Sequence, residues 1–364
     1  MGSADKIAEL ERELSTTKYN KATQGHVALV KAKIARLKDD VVRKASGGKK
    51  GEGFEIRKSG DASVVLLGFP SVGKSTLLTK LTDAKSEIAA YAFTTLTCIP
   101  GVLRYKHAKI QILDVPGIVH GAASGRGRGK EVLAAIRNAD MVIILLDALH
   151  PEHYDAILAE AHEAGLRINK RKPDIVIKKK DRGGLALAST VKLTRISPVT
   201  IQGICRELGI SNADIVIRTD INDDDLIDVI EANKVYLPGV TVVNKADLLN
   251  AQEQKALVQQ LNPDLMISAN KSENIEALKK LIFDRLQFIR IYLKEAGKKP
   301  DLEEPLIMRE GCTIKHVCDR LHRDFVRKFK FARVWGPSAK FDGQQVRNVE
   351  RGLKDEDILE IHLR

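Results

Sequence analysis

The chain has 364 residues, with 60 Lys and Arg against 48 Asp and Glu, and a formal charge of +12 at neutral pH. That length allows two or three domains with a substantial core. The longest apolar run, Met141 to Leu149, is interrupted by Asp147 and too short to cross a bilayer. The four dispersed cysteines (Cys98, Cys205, Cys312, Cys318) lack metal-ligand spacing. No membrane association, disulfide framework or secretory segment is expected, and free thiols in a reducing cytoplasm are.

Ile7, Leu10 and Leu14 recur at helical spacing until Thr16-Thr17 and Asn20 interrupt, and Val27, Val30, Ile34, Leu37 and Val41 then share one face. The pattern predicts an antiparallel helical hairpin over residues 1–50. Its charged faces fit two readings, an exposed docking arm or a helix pair packed on its own domain. Ser46 to Gly53 reads as a flexible linker. From about Asp61, strand-like runs at 63–67, 109–113, 141–146, 240–243 and 265–267 alternate with helices. This alternation predicts an open, mostly parallel α/β sheet over 61–164 and 236–292, with a ligand site along the carboxyl ends of its strands. Within it, 101–113 reads as a hairpin turning at Lys106-His107-Ala108.

Residues 165–235 interrupt the alternation and read as an inserted α+β module. It has β-like runs at Ile175-Val176-Ile177 and Ile215-Val216-Ile217, the basic run Lys178-Lys179-Lys180 and the acidic patch Asp223-Asp224-Asp225. A helix is expected to end near Tyr292, followed by a charged linker from Glu295 to Glu304. Residues 293–364 then read as a small β-grasp module with a helix at about 313–328.

Charge is unevenly placed. Residues 1–50 carry twelve Lys and Arg against six Asp and Glu, residues 167–182 eight against two, and residues 320–333 six against one. Solubility accounts for part of this excess, but three separate patches point to a polyanionic partner. At 4% aromatic residues, phosphate-backbone contact is expected rather than base stacking.

Five motifs follow one another in order. Gly68-Phe69-Pro70-Ser71-Val72-Gly73-Lys74-Ser75 fits G-x-x-x-x-G-K-[ST], lies between the apolar run Val64 to Leu67 and a helix opening at Thr76, and so reads as a P-loop. Its backbone N–H groups would cradle phosphates, Lys74 would meet the β/γ-phosphates, and Ser75 would ligate Mg²⁺. Thr94-Thr95 lies where a switch threonine would complete the Mg²⁺ shell, with Thr95 preferred. Asp114-Val115-Pro116-Gly117 matches D-x-x-G: Asp114 would hold Mg²⁺ through water, and Gly117 N–H would sense the γ-phosphate. Asn244-Lys245-Ala246-Asp247 matches N-K-x-D, whose carboxylate accepts two N–H groups of guanine, and Ser268-Ala269-Asn270 fits a backbone clamp on the guanine carbonyl. These residues predict Mg²⁺-dependent binding of GTP or GDP, with Lys74, Thr95 and Gly117 as the catalytic set.

In Ras-like enzymes a glutamine follows the D-x-x-G glycine and positions the attacking water. Here that residue is Ile118, so water orientation must come from another source: Lys74 and Mg²⁺ alone, a monovalent cation, or a partner. His120, Arg126 and Arg128, in a glycine-rich stretch from Gly121 to Gly129, are weaker candidates. Slow intrinsic turnover is expected.

Together with Phe93-Thr94-Thr95-Leu96, these motifs resemble those of the Obg-type GTPases. More narrowly, the chain is similar nearly end to end to the developmentally regulated GTP-binding (DRG) proteins. The narrower likeness rests on Asn20-Lys21-Ala22-Thr23, Gly51-Glu52-Gly53-Phe54, Lys178-Lys179-Lys180-Asp181-Arg182-Gly183-Gly184, Asp225-Leu226-Ile227-Asp228 and Val334-Trp335-Gly336. The resemblance implies a P-loop GTPase G domain with an N-terminal helical hairpin, an inserted module of ribosomal-protein-like fold and a C-terminal TGS domain. It also implies a cytoplasmic, ribosome-associated translation factor stimulated by K⁺ and, in eukaryotes, by a dedicated regulatory protein. Potassium-activated relatives often carry asparagine where Ser71 stands. A monomer is expected. The rival readings are a non-catalytic, GTP-gated binding module and a ribosome-assembly GTPase.

Overall fold

The computed structural model describes residues 3–18, 20, 23–45, 60–82, 100–114 and 138–364, with only the backbone of residues 42–45. Two helices come first, α1 (Ser3–Thr16) and α2 (Gln24–Ala45). The linker expected at 46–53 lies outside the described residues. Strand β1 (Ala62–Leu67) leads into α3 (Lys74–Leu81), followed by β2 (Pro100–Tyr105), β3 (Ala108–Asp114), β4 (Met141–Asp147) and α4 (His153–Glu163). The next elements are β5 (Leu166–Ile168), β6 (Ile175–Lys179), β7 (Leu185–Ser189), α5 (Pro198–Glu207), β8 (Ala213–Ile217), α6 (Asp223–Glu231) and β9 (Val235–Leu237). The chain then returns through β10 (Gly239–Asn244), α7 (Ala251–Leu261), β11 (Leu265–Met266) and α8 (Ile275–Arg285). It ends in β12 (Phe288–Leu293), β13 (Leu306–Arg309), α9 (Ile314–Leu321), α10 (Phe325–Lys328), β14 (Phe329–Trp335), β15 (Gln344–Val346) and β16 (Asp357–Leu363).

Two compact units result, Met1–Gly53 with Gly165–Tyr236, and Phe54–Ala164 with Leu237–Arg364. In the second unit a six-stranded sheet runs β11-β10-β4-β1-β3-β2, parallel except for the β2–β3 hairpin. Every residue of β1, β4 and β10 is buried, because strands covered by helices on both faces cannot alternate polar with apolar. Lys106 and His107 turn the hairpin with φ of 48° and 70°. Leu77, Leu78 and Leu81 of α3 and Ile275, Leu278, Ile282 and Phe283 of α8 complete the core.

The expected helix to Tyr292 stops instead at Arg285. Gln287 takes φ of 54°, and Phe288 to Leu293 pairs parallel with β16 as a strand. The boundary expected at 292/293 therefore falls inside β12. The five-stranded sheet β13-β12-β16-β14-β15 and α9 share a core of Ile289, Ile291, Ile314, Val317, Val334 and Leu359. The helix expected over 313–328 breaks after Leu321, where His322 leaves helical geometry. Phe288 and Ile307 also enter the core of the six-stranded sheet, and Arg309 binds Asp140 at 2.5 Å.

In the first unit, β6-β8-β7 form a sheet whose inner face, including Ile215 and Ile217, packs on α5, α6 and α2. Ala28 and Ala32 of α2 are fully buried in this cluster. A Cβ on Gly203 of α5 would lie 3.0 Å from Leu29, so these helices approach closely. Lys31 binds Asp223 and Asp224 at the start of α6. Burial alone would lower its pKa, but the two carboxylates raise it above the ordinary lysine value. One face of the hairpin is thus packed on the inserted module, and the acidic patch is a capped, lysine-clamped helix start.

Arg167 is a second correction to the charge map. It stands in the basic stretch but is 5% exposed and bound in a fork to Asp228, at 2.5 and 2.7 Å. Arg167→Ala would leave Asp228 buried and unpaired, an expected loss of roughly 3–5 kcal/mol. Urea unfolding of the full chain measures it, and a shift below about 1 kcal/mol would contradict the assignment.

Candidate functional site

The carboxyl ends of β1, β3, β4 and β10 lie side by side, with Leu66 opposite Asp114 and Asn244 opposite Asp147. The chain leaves β1 between β3 on one side and β4 on the other. Such a reversal in strand order opens a crevice at the rim of the sheet.

Residues 68–73 curl around that point. Ser71 and Gly73 have φ of 64° and 95°. A Cβ on Gly68 would stand 2.6 Å from the carbonyl of Leu145, and one on Gly73 would stand 2.5 Å from Asn244 Nδ2. Both glycines are therefore steric requirements. Lys74 opens α3 and donates from Nζ to the carbonyls of Gly68 (2.7 Å) and Phe69 (2.9 Å). Val72 is buried, whereas Pro70, Ser71, Ser75 and Thr76 are exposed.

Asp114 faces this lysine. Its Oδ1 is buried with no hydrogen-bond partner among the described residues, and burial raises its pKa, partly countered by Lys74. Burial likewise lowers the pKa of Lys74, partly countered by Asp114. Each charge is incompletely compensated by the other. A buried carboxylate oxygen without a donor fits a hydrated cation, and a hydroxyl such as Ser75 is a suitable hard ligand beside it.

Asn244 joins two loops. Its Nδ2 donates to the carbonyl of Val72 (2.8 Å), and its Oδ1 accepts from the N–H of Ala269 (2.9 Å). Lys245, at φ of 63°, reaches Asp147 at 2.6 Å. Burial would raise the pKa of Asp147, but Lys245 and the N–H of Leu149 outweigh it and hold the carboxylate below its ordinary range. Ala246 N–H donates to the carbonyl of Ile267 (3.0 Å). Asp247 is drawn below the ordinary range first by the Ser268 hydroxyl and then by Lys271, 3.5 Å away. Ser268 and Ala269 are buried, and Asn270 is exposed.

The structure thus gathers Gly68 to Thr76, Asp114, Asn244 to Asp247 and Ser268 to Asn270 on one rim. Thr94, Thr95, Val115, Pro116, Gly117 and Ile118, with His120, Arg126 and Arg128, lie outside the described residues. Asp147 is a site residue that the motifs did not name. Its signal was an ionisable side chain closing an otherwise apolar strand. Cys205, Cys312 and Cys318 are buried free thiols pushed up to about 11 by burial. Among the described residues, no helix is long and apolar enough to cross a membrane.

Comparison with known families matches residues 63–180 to "50S ribosome-binding GTPase", residues 182–288 to the C-terminal region of that domain, and residues 289–363 to the TGS domain. An uncharacterized GTP-binding protein of Methanocaldococcus jannaschii is 50% identical, over 99% of this chain and 93% of its own. Developmentally-regulated GTP-binding protein 2 of Homo sapiens is 44% identical, over 99% of both chains. A GTP-binding protein of Pyrococcus horikoshii OT3, solved by crystallography, covers 83% of this chain and all of its own, with 15% identity and a TM-score of 0.43.

Proposed function

Because the chain belongs to the family of developmentally regulated GTP-binding proteins, we propose that it is a slow, Mg²⁺-dependent GTPase that docks on ribosomal particles or ribosomal RNA. GTP binding by a P-loop GTPase domain, joined to a TGS domain, is the family's common ground. The observation that carries the catalytic reading is the half-buried pair Lys74 and Asp114 at the switch point of the sheet, where Asp114 Oδ1 is buried without a hydrogen-bond partner among the described residues and Lys74 Nζ rests on the carbonyls of Gly68 and Phe69.

Lys74 would leave the carbonyls of Gly68 and Phe69 to bind the β/γ-phosphates, with the loop N–H groups around them. Asp114, through water, and Ser75 would hold Mg²⁺, with Thr95 as the further ligand implied by resemblance. When bound, that ion neutralises phosphate charge as the γ-phosphoryl departs. Asp247 would read the guanine edge while Asn244 keeps the phosphate and base loops in register. Ile118 offers no polar group to the attacking water, which supports a slow intrinsic rate. K⁺ stimulation is part of the proposal. Ser71 stands where potassium-activated relatives often carry asparagine, a departure that argues against K⁺ ligation by that side chain.

Single-turnover hydrolysis of GTP, in K⁺ against Na⁺ and with or without ribosomal particles, tests the reading. We expect K⁺ and the particles to accelerate turnover, and Lys74→Ala to slow it at least ~100-fold, since a preorganised donor at a developing charge contributes about that much. Undiminished turnover in Lys74→Ala would count against the site. Ile118 also supports a second reading, a GTP-gated binding module without turnover; GTP bound but never hydrolysed under any of these conditions would favour it.

The partner reading rests on exposed cations. Arg320, Arg323 and Arg327 line an open cleft of about 820 Å³ with Asp319, His322 and Asp324. In the insertion, Lys170 to Lys172, Lys178 to Lys180 and Arg182 are exposed. Truncation at residue 50 would strip Ala28 and Ala32 from the insertion's core, so charge reversal is the cleaner probe. Replacing Arg323 and Arg327 by Glu should weaken co-sedimentation with ribosomal particles at least ~10-fold and flatten its salt dependence by about one unit of slope per lost phosphate contact. GTP affinity should stay within about twofold. Equal sedimentation across the salt titration would remove this cleft from the interface. A role in ribosome assembly differs only in which particle is bound.

A further inference from the structure

We propose that His150, Glu152 and His153 form an open site for a divalent transition metal, behind the P-loop and separate from the Mg²⁺ set. The three residues follow β4, where His150 N–H donates to the Asp147 carbonyl (3.0 Å) and His153 N–H to the His150 carbonyl (3.3 Å). That turn brings one donor atom from each side chain within 4.8 Å of the others. His150 Nδ1 lies 3.0 Å from Glu152 Oε1. The His153 ring stacks on Phe69 and on His150, with ring centroids 4.1 and 5.2 Å apart. Its Nδ1 is buried and makes no hydrogen bond among the described residues. The cluster therefore holds an imidazole with a nitrogen still to be satisfied, beside a second imidazole and a carboxylate.

Two imidazoles and one carboxylate suit Zn²⁺ and its neighbours, not Mg²⁺, which prefers oxygen ligands in an octahedron. Tetrahedral donors on bonds of about 2.1 Å stand roughly 3.4 Å apart. Closing from 4.8 Å falls to the side chains of His150 and Glu152, which are 55% and 64% exposed. The fourth position would carry water. His153 opens α4, whose N-terminal dipole opposes a cation, and the Glu152 carboxylate offsets that field. The bland reading of the same atoms is a surface ion pair of His150 with Glu152. On metal entry the contact between His150 and Glu152 gives way to bonds from both to the ion. A bound ion would pin the His153 ring, and Phe69 of the P-loop rests on that ring.

The test uses chelator-stripped full-length protein in excess Mg²⁺, which occupies hard-oxygen sites. Zn²⁺ is titrated calorimetrically, and Co²⁺ is followed by its visible spectrum. One Zn²⁺ per chain is expected, with affinity at least ~10-fold weaker in His150→Ala and in Glu152→Gln, and tetrahedral Co²⁺ bands that the double variant loses. Neither variant touches the P-loop, and unchanged thermal melting shows that both fold. Zn²⁺ isotherms that superimpose for wild type and double variant would overturn the site, as would a Co²⁺ spectrum that stays octahedral.

Discussion

Asn244→Ala should lower guanine-nucleotide affinity by roughly a hundred- to a thousandfold. The side chain donates to the Val72 carbonyl and accepts from the Ala269 N–H, and all three groups are buried. Alanine leaves both backbone partners unsatisfied, at about 1–3 kcal/mol each, and every 1.4 kcal/mol is a factor of ten. The loss falls on binding because the two loops must reach one geometry before phosphate and base are held together. Asn244→Asp separates the two bonds. It keeps the acceptor for Ala269 but puts a carboxylate against the Val72 carbonyl, so it should bind as weakly as alanine or worse. Fluorescent GDP titration measures both variants. Affinity within about fivefold of wild type for Asn244→Ala would show that the loops are held in register by other contacts.

What the residues announced, and what they hid, follows from burial. β1, β4 and β10 were legible because strands covered on both faces read as unbroken apolar runs, and β1 and β10 were each followed by a motif. The end of α8 was not. Phe283, Leu286, Phe288 and Ile289 keep an apolar pattern across the turn, and Gln287, which takes the positive φ, is not a residue type that marks one. The break at His322 was hidden in the same way, because Val317, Leu321 and Phe325 keep helical spacing through it. Arg167 counted as surface charge until Asp228, sixty-one positions away in sequence, closed on it. The N-K-x-D motif named Asn244 as a nucleotide residue, but its work as a tie between two loops depends on the register of β10 beside β4. Phe69 against His153 is likewise a long-range contact that no local pattern records.

Asp247→Asn should exchange base preference and leave the fold alone. The carboxylate at this position can accept both the ring N–H and the exocyclic amine of guanine, while an amide offers one acceptor and one donor. Xanthine presents a carbonyl where guanine has the amine, so the amide oxygen accepts its ring N–H and the amide nitrogen donates to its carbonyl. GTP affinity is therefore expected to fall roughly a hundred- to a thousandfold, with XTP gaining in competition for the site. The charge is available for this task, since Ser268 and Lys271 hold Asp247 below the ordinary aspartate range and it is ionised at neutral pH. The partner lysine is more than half exposed, so its ion pair contributes little to folding, and the melting curve should not move. Asn244→Ala, in contrast, strands buried backbone groups and should lower both nucleotide affinity and stability. Competition of GTP and XTP against fluorescent GDP, run beside thermal melts, distinguishes the two. If Asp247→Asn keeps its GTP affinity and gains nothing for XTP, the guanine edge is read by another group, and the base pocket must be sought elsewhere along the same rim.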